Sequence, residues 1–135
     1  MQKQAAMAAK RYQDLVVWQA ADEVRREVYR LTGQGAAARD FRFHDQVRAA
    51  ASSIAANISE GFRRYSPREF AQFLDYAFAS SGETEHWLDD GVARRHWTEE
   101  DVRTARLQLR RLDAGLRALI RYLRSPKAAE RSRRG

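Results

Sequence analysis

The chain has 135 residues, one domain's worth, and its 44% hydrophobic and 32% charged content is too apolar for disorder and too polar for a membrane span. It carries 25 Lys+Arg against 18 Asp+Glu, a net charge of +7, and no cysteine, which excludes disulfide scaffolds, zinc fingers, iron–sulfur sites and thiol nucleophiles. No apolar run makes a signal peptide near Met1 or reaches the roughly 20 residues of a bilayer span, so a basic, cytoplasmic protein is expected. Among the basic residues only Lys3, Lys10 and Lys127 are lysine. Arginine has the planar fork that suits phosphate and carboxylate, although a GC-rich genome produces the same bias.

Pro67 and Pro126 are the only prolines and β-branched residues are sparse, so helix is expected to dominate. Residues 1–11 read as a flexible basic N-terminus. The first helix is predicted over residues 14–32, with Asp14 as N-cap and Val17, Ala21, Val24, Val28 and Leu31 on its apolar face. Gly33 and Gly35 are expected to end it, because glycine accepts the left-handed conformation after a last turn. Residues 36–42 are ambiguous, a loop that runs into the next helix. The second helix is predicted over residues 43–60, burying Phe43, Val47, Ala50, Ile54 and Ile58, with Gly61 as its stop.

Ser66-Pro67-Arg68-Glu69 combines a capping serine, a first-turn proline and the glutamate of a capping box. It opens a third helix that carries Phe70, Phe73, Leu74, Ala77, Ser81, Thr84 and Leu88 to about residue 90, with Ser80, Ser81 and Gly82 interrupting it. Gly91 and the region of His96 form the next turn, and Thr98-Glu99-Glu100-Asp101 is a second acidic, capped start. Val102, Ala105, Leu109, Leu112, Leu116, Leu119 and Leu123 then alternate at spacings of three and four, the seam of a bundle or coiled coil. Ser125-Pro126 ends this fourth helix. The whole predicts an all-α, antiparallel up-down four-helix bundle over residues 12–124, with 125–135 as a basic, disordered tail.

Bundles of this kind often hold two metals, which requires two Glu-x-x-His spacings on different helices plus a glutamate from each of the others. Glu83 and His86 supply one such spacing, whereas His44 and His96 have no glutamate three positions earlier. No metal, cofactor or catalytic constellation is therefore expected, and the protein reads as a non-enzyme. Charge geography says more. Residues 67–90 are acidic, whereas residues 103–123, the tail and the first eleven residues are basic. At about 100° per residue, Arg103, Arg106, Arg110, Arg117, Arg121 and Arg124 fall within an arc of about 60°, a stripe about 32 Å long at 1.5 Å per residue.

Such a stripe suits a polyanion, whose counterions are released on binding. Two readings compete with that one: pairing with the acidic third helix, in the same subunit or a neighbour, and a plain solvated face whose stems cover the edge of the seam. Arg63, Arg64 and Arg68 around Tyr65, and Arg94 and Arg95 beside His96 and Trp97, are smaller basic-aromatic clusters that either stack on bases or, the favoured reading, anchor a turn to the core. Ser52, Ser53 and Asn57 on the second helix are assigned to close packing and helix register.

Gln46-Val47-Arg48-Ala49-Ala50 followed by Ser53-Ile54-Ala55-Ala56-Asn57-Ile58-Ser59-Glu60-Gly61 resembles the signature of the four-helix-bundle proteins related to the ribosomal-RNA intervening-sequence protein. Tyr12 to Trp18 resembles that family's opening. Phe70, Phe73-Leu74, Ala77 and Glu83-Thr84-Glu85 resemble its third helix, so the likeness spans about residues 12–123. Ser59 stands where alanine is usual, and Ala79-Ser80-Ser81 replaces a Gly-Ser-apolar run. The resemblance implies a bacterial homopentamer. One branch of the family, the accessory variability protein of diversity-generating retroelements, binds RNA and a reverse transcriptase. The expectation is thus an oligomer, a homopentamer, that binds nucleic acid, RNA above all. The alternative is a protein-interaction scaffold whose arginines meet acidic surfaces.

Overall fold

A computed structural model describes residues 8–134, and within them the chain is helical with no strand. After a short 3-10 turn at Tyr12–Asp14 come α1 (Val16–Thr32), α2 (Gly35–Arg39), α3 (Phe41–Phe62), α4 (Pro67–Ala93), α5 (Glu99–Leu123) and α6 (Pro126–Arg134). The four long helices surround one core: α1 packs on α3 and α5, α3 on α4, and α4 on α5.

The α5 seam drives this packing. Val102, Ala105, Leu109, Leu112, Leu116, Leu119 and Leu123 are all buried, and each large aliphatic side chain taken out of water contributes roughly 1.5–3 kcal/mol. They meet Val17, Val24 and Val28 of α1, Val47, Ile54 and Ile58 of α3, and Leu74 and Leu88 of α4 in a single cluster. Ser66 Oγ accepts the Glu69 N–H at 3.1 Å with Pro67 in the first turn of α4, as the sequence predicts. Thr98 and Asp101 form the reciprocal capping box of α5, at 3.1 and 2.8 Å.

Several boundaries differ from the predicted ones, each because packing outweighs local preference. Asp14 lies in the 3-10 turn instead of capping α1; Leu15 occupies the cap position with its side chain buried, so core contact sets where the helix begins. Gly33 stays right-handed at φ −82°, and the left-handed glycine is Gly35 at φ 68°, opening α2. The ambiguous stretch 36–42 is thus mostly helix, held by the buried Ala37.

Gly61 does not stop α3, which runs on to Phe62. A Cβ at Gly61 would stand 2.7 Å from the Cβ of Phe73, so this glycine lets α3 and α4 approach. Neither Ser80-Ser81-Gly82 nor Gly91 breaks α4, which is continuous to Ala93. It ends two residues after Gly91, and beyond that end Arg95 adopts φ 63° and the N–H groups of His96 and Arg95 reach back to the carbonyls of Gly91 and Val92 at 2.9 Å. This is a Schellman closure with arginine in the position usually held by glycine.

The tail expected to be disordered is helix α6 as far as Arg134, started by Pro126 and docked through the buried Ala128. An alanine at the core edge with proline in the first turn gives this segment a local reason to wind. Of residues 1–11, expected to be flexible, 1–7 lie outside the described residues and Ala9 packs against the core. No helix among the described residues is long and apolar enough to cross a membrane.

Candidate functional site

The residues of the second-helix signature join helices. Arg48 donates from Nε to Thr32 Oγ1 at 2.8 Å and from Nη2 to the Tyr29 carbonyl at 3.1 Å, with its guanidinium 4.6 Å from the Tyr29 ring centroid. It thereby supplies donors and positive charge where the last carbonyls of α1 lack partners. Trp97 adds a neutral donor at the same helix end, its buried Nε1 donating to the Leu31 carbonyl at 3.1 Å. Ser53 and Ser80 share a hydroxyl hydrogen bond of 2.9 Å between α3 and α4, and Asn57 Nδ2 donates to the Ser53 carbonyl at 2.9 Å. Glu60 pairs with Arg64 at 2.8 Å, while Gln46 is exposed.

The α5 arginines divide. Arg106 is largely buried, bridging Asp89 of α4 at 2.7 Å and Glu99 at 3.0 Å. Burial opposes its charge, but those two hydrogen-bonded carboxylates prevail and hold its pKa above the ordinary arginine value. Arg124 pairs with Asp75, also of α4. These two arginines realise the pairing with the acidic helix. Arg103, Arg110, Arg117 and Arg121 remain exposed. Arg103 is only loosely joined to Glu100, at 3.7 Å and with both side chains mostly in solvent, a contact of little energetic weight. Arg117 lies 5.8 Å from the Phe78 ring centroid. Arg110 and Arg121 have no ion-pair partner among the described residues.

Between the two paired arginines sits Asp113, which the sequence reading left unassigned. The Ser81 hydroxyl donates to its Oδ1 at 2.6 Å across the α4–α5 interface. Burial raises its pKa, against the lowering influence of that hydrogen bond and of Arg117. The signal for this pair lay in the two sequences, a serine on the apolar side of one helix and the only acid within residues 103–123 of the other.

The two basic-aromatic turns behave differently. Trp97 is the anchor that the favoured reading expects. Arg94 is held by Asp90 at 2.6 Å and Asp40 at 3.0 Å, and His96 Nε2 stands 2.9 Å from the same Asp40. The hydrogen bond from His96, with Arg94 adding to it, outweighs desolvation and lowers the Asp40 pKa. Arg94 is thus occupied within the fold, and Arg95 next to it is exposed. Tyr65 is no anchor: it is 99% exposed, because the turn is already held by Phe62 against Phe70, with ring centroids 6.2 Å apart. Of its neighbours, Arg64 is bound to Glu60 and lies 4.5 Å from the Phe73 ring centroid, while Arg63 and Arg68 are exposed without an ion pair among the described residues.

Glu83 and His86 are exposed on α4, with His86 against Trp87. No group of three or more His, Asp or Glu among the described residues is placed to hold a metal ion. The arrangement offers instead one row of exposed guanidinium groups along α5, of which Arg110 and Arg121 have no ion pair among the described residues, and a second, smaller group at the α3–α4 turn. None of the curated proteins matches the chain. The family model described as 23S rRNA-intervening sequence protein matches residues 13–118, which contain every long helix except the end of α5. The chain belongs to the 23S rRNA-intervening sequence protein family.

Proposed function

We propose that this protein is a non-enzymatic, oligomeric RNA-binding protein that holds phosphate groups with the exposed arginines of α5. In this reading the four long helices form an antiparallel up-down bundle. Residue pairs that descend along one helix as they ascend the other support it: Phe43 with Trp87, Ser53 with Ser80 and Phe62 with Phe70 between α3 and α4, and Arg106 with Asp89 and Arg124 with Asp75 between α4 and α5.

The observation that carries the function is the division within the stripe. Carboxylates of α4 take up Arg106 and Arg124, and the four arginines left over stay exposed on one arc of α5. Cations that stay in solvent are available to phosphates, and each phosphate contact releases counterions. The name of the family adds a link to ribosomal RNA. A homopentamer, implied by the family resemblance, presents the row once per protomer, and a reverse transcriptase is the protein partner that the resemblance suggests.

A salt titration of binding to a structured RNA tests this. The expected result is an affinity that falls steeply with salt, and a slope about 2–3 shallower when Arg103, Arg110 and Arg117 are replaced by glutamine. Salt-insensitive binding, or none at low salt, sinks the proposal. One observation favours a second reading, a scaffold for acidic proteins. Leu107 is 45% exposed beside the stripe and shares a hollow of about 440 Å³ with Arg103, Arg106 and Arg110 and with Glu99 and Glu100. A protein partner would bury that leucine, so Leu107→Ser would abolish its binding while leaving RNA binding intact.

A further inference from the structure

The α3–α4 turn combines free arginines and a hollow on each flank with a feature that the stripe lacks, a wholly exposed aromatic ring. Tyr65 is 99% exposed although the turn around it is ordered by packing. Gly61 and Phe62 press on Phe73 and Phe70 before it, and Ser66 caps α4 after it. An ordered turn that projects a large ring away from every protein contact keeps that ring's face free at no cost of rearrangement.

Arg63 and Arg68 bracket the ring in sequence, and with Arg64 tied to Glu60 they are the turn's free cations. One hollow, of about 410 Å³, is lined by Lys10, Arg11, Tyr12, Gln13, Phe62 and Arg63. The other, of about 670 Å³, has Pro67, Leu123 and Ala129 as its apolar part and Arg68, Arg124 and Ser125 as its polar part. Both volumes fall within the range of about 300–1,000 Å³ typical of small-ligand pockets.

Resting on the RNA-binding reading above, we propose that this turn binds an unpaired stretch of the RNA, with one base stacked on Tyr65 and the flanking phosphates on Arg63 and Arg68. The neighbouring nucleotides settle into the two hollows. A base inside a duplex has both faces covered by its neighbours, whereas an unpaired base can be splayed onto an aromatic side chain. The turn therefore discriminates single-stranded from paired RNA, which a row of arginines alone does not. Phosphates supply the charge term and the ring supplies the preference.

The test uses the full chain and a fluorescently labelled RNA of about 12 nucleotides, a length suited to one stacking surface, presented either single-stranded or annealed to its complement. Tyr65→Ala should weaken single-strand binding roughly 5- to 150-fold and leave duplex binding unchanged, and Tyr65→Phe should restore it. Arg63→Gln with Arg68→Gln should make the single-strand salt slope shallower by about 1.4. Phe41→Ala removes another exposed ring, 76% exposed at the far end of α3, and should change nothing. All these positions are on the surface, so folding is not at stake. Tyr65→Ala without effect, or with equal loss on duplex and single strand, overturns the inference even where the α5 variants still weaken binding. Equal Tyr65-dependent binding to a polyglutamate peptide overturns it in favour of a protein partner. Absence of binding to either RNA removes both this inference and the reading on which it rests.

Discussion

Helix α4 contains two glycines for which the same substitution should have opposite signs. At Gly82 no heavy atom lies within 4 Å of an added Cβ, so Gly82→Ala gains the helix preference of alanine, about 1 kcal/mol. At Gly91 the new Cβ would overlap the Trp97 ring and stand 2.9 Å from Phe43 Cζ. Neither ring can yield: both are buried, and Trp97 is fixed by its hydrogen bond to Leu31. Overpacking costs about 1–3 kcal/mol, and displacing the indole loses a hydrogen bond worth about 1 kcal/mol. After the same gain in helix preference, Gly91→Ala is destabilising by roughly 1–3 kcal/mol.

For a chain of 135 residues each kcal/mol moves the melting midpoint by about 3.5 °C. Gly82→Ala should thus melt about 3–4 °C higher, and Gly91→Ala about 4–10 °C lower. Far-UV circular dichroism melts at one fixed protein concentration read both, since self-association makes the midpoint concentration-dependent. Shifts of the same sign, or a neutral Gly91→Ala, would refute the assignment of Gly91 to the Trp97 contact.

Two further outcomes bear on the interface between α4 and α5 and on assembly. Burial raises the folded-state pKa of Asp113 above the ordinary 3.8, so the folded chain holds that proton more tightly than the unfolded chain, and stability is lost as pH rises through the interval above 3.8. Asp113→Asn removes this titration; the stability of the wild type relative to the variant, from urea unfolding at several pH values, should decline across that interval, and a rise would contradict the burial argument. Light scattering at micromolar concentration should report a pentamer, and a monomer there would rule out the proposed assembly.

The helical nature of the chain and the faces that are buried are legible in the residue pattern. The spacing of Val102 to Leu123 predicts the seam, and Ser66-Pro67 and Thr98 predict caps that the structure contains. These are local properties, set by hydrogen bonds within one turn and by which side chains share a helix face. The boundaries that depend on another helix were not legible. Gly61 and Gly91 look like stops, yet each is a place where a ring from elsewhere in the chain leaves no room for a side chain. Arg95 takes the left-handed position that composition assigns to glycine, within a turn where Arg94, His96 and Trp97 all make long-range contacts.

The candidate site divides along the same line. A helical projection alone places six arginines on one arc, because that follows from 100° per residue. Only the packing of α4 beside α5 decided that Asp89 and Asp75 take two of them and leave the others in solvent. In the same way, sequence brings Arg63, Arg64 and Arg68 close to Tyr65, and tertiary contact chose which of them is spent on Glu60 and Phe73. Charge and periodicity are written along the chain; which charges remain unneutralised is a property of neighbours brought together from distant positions.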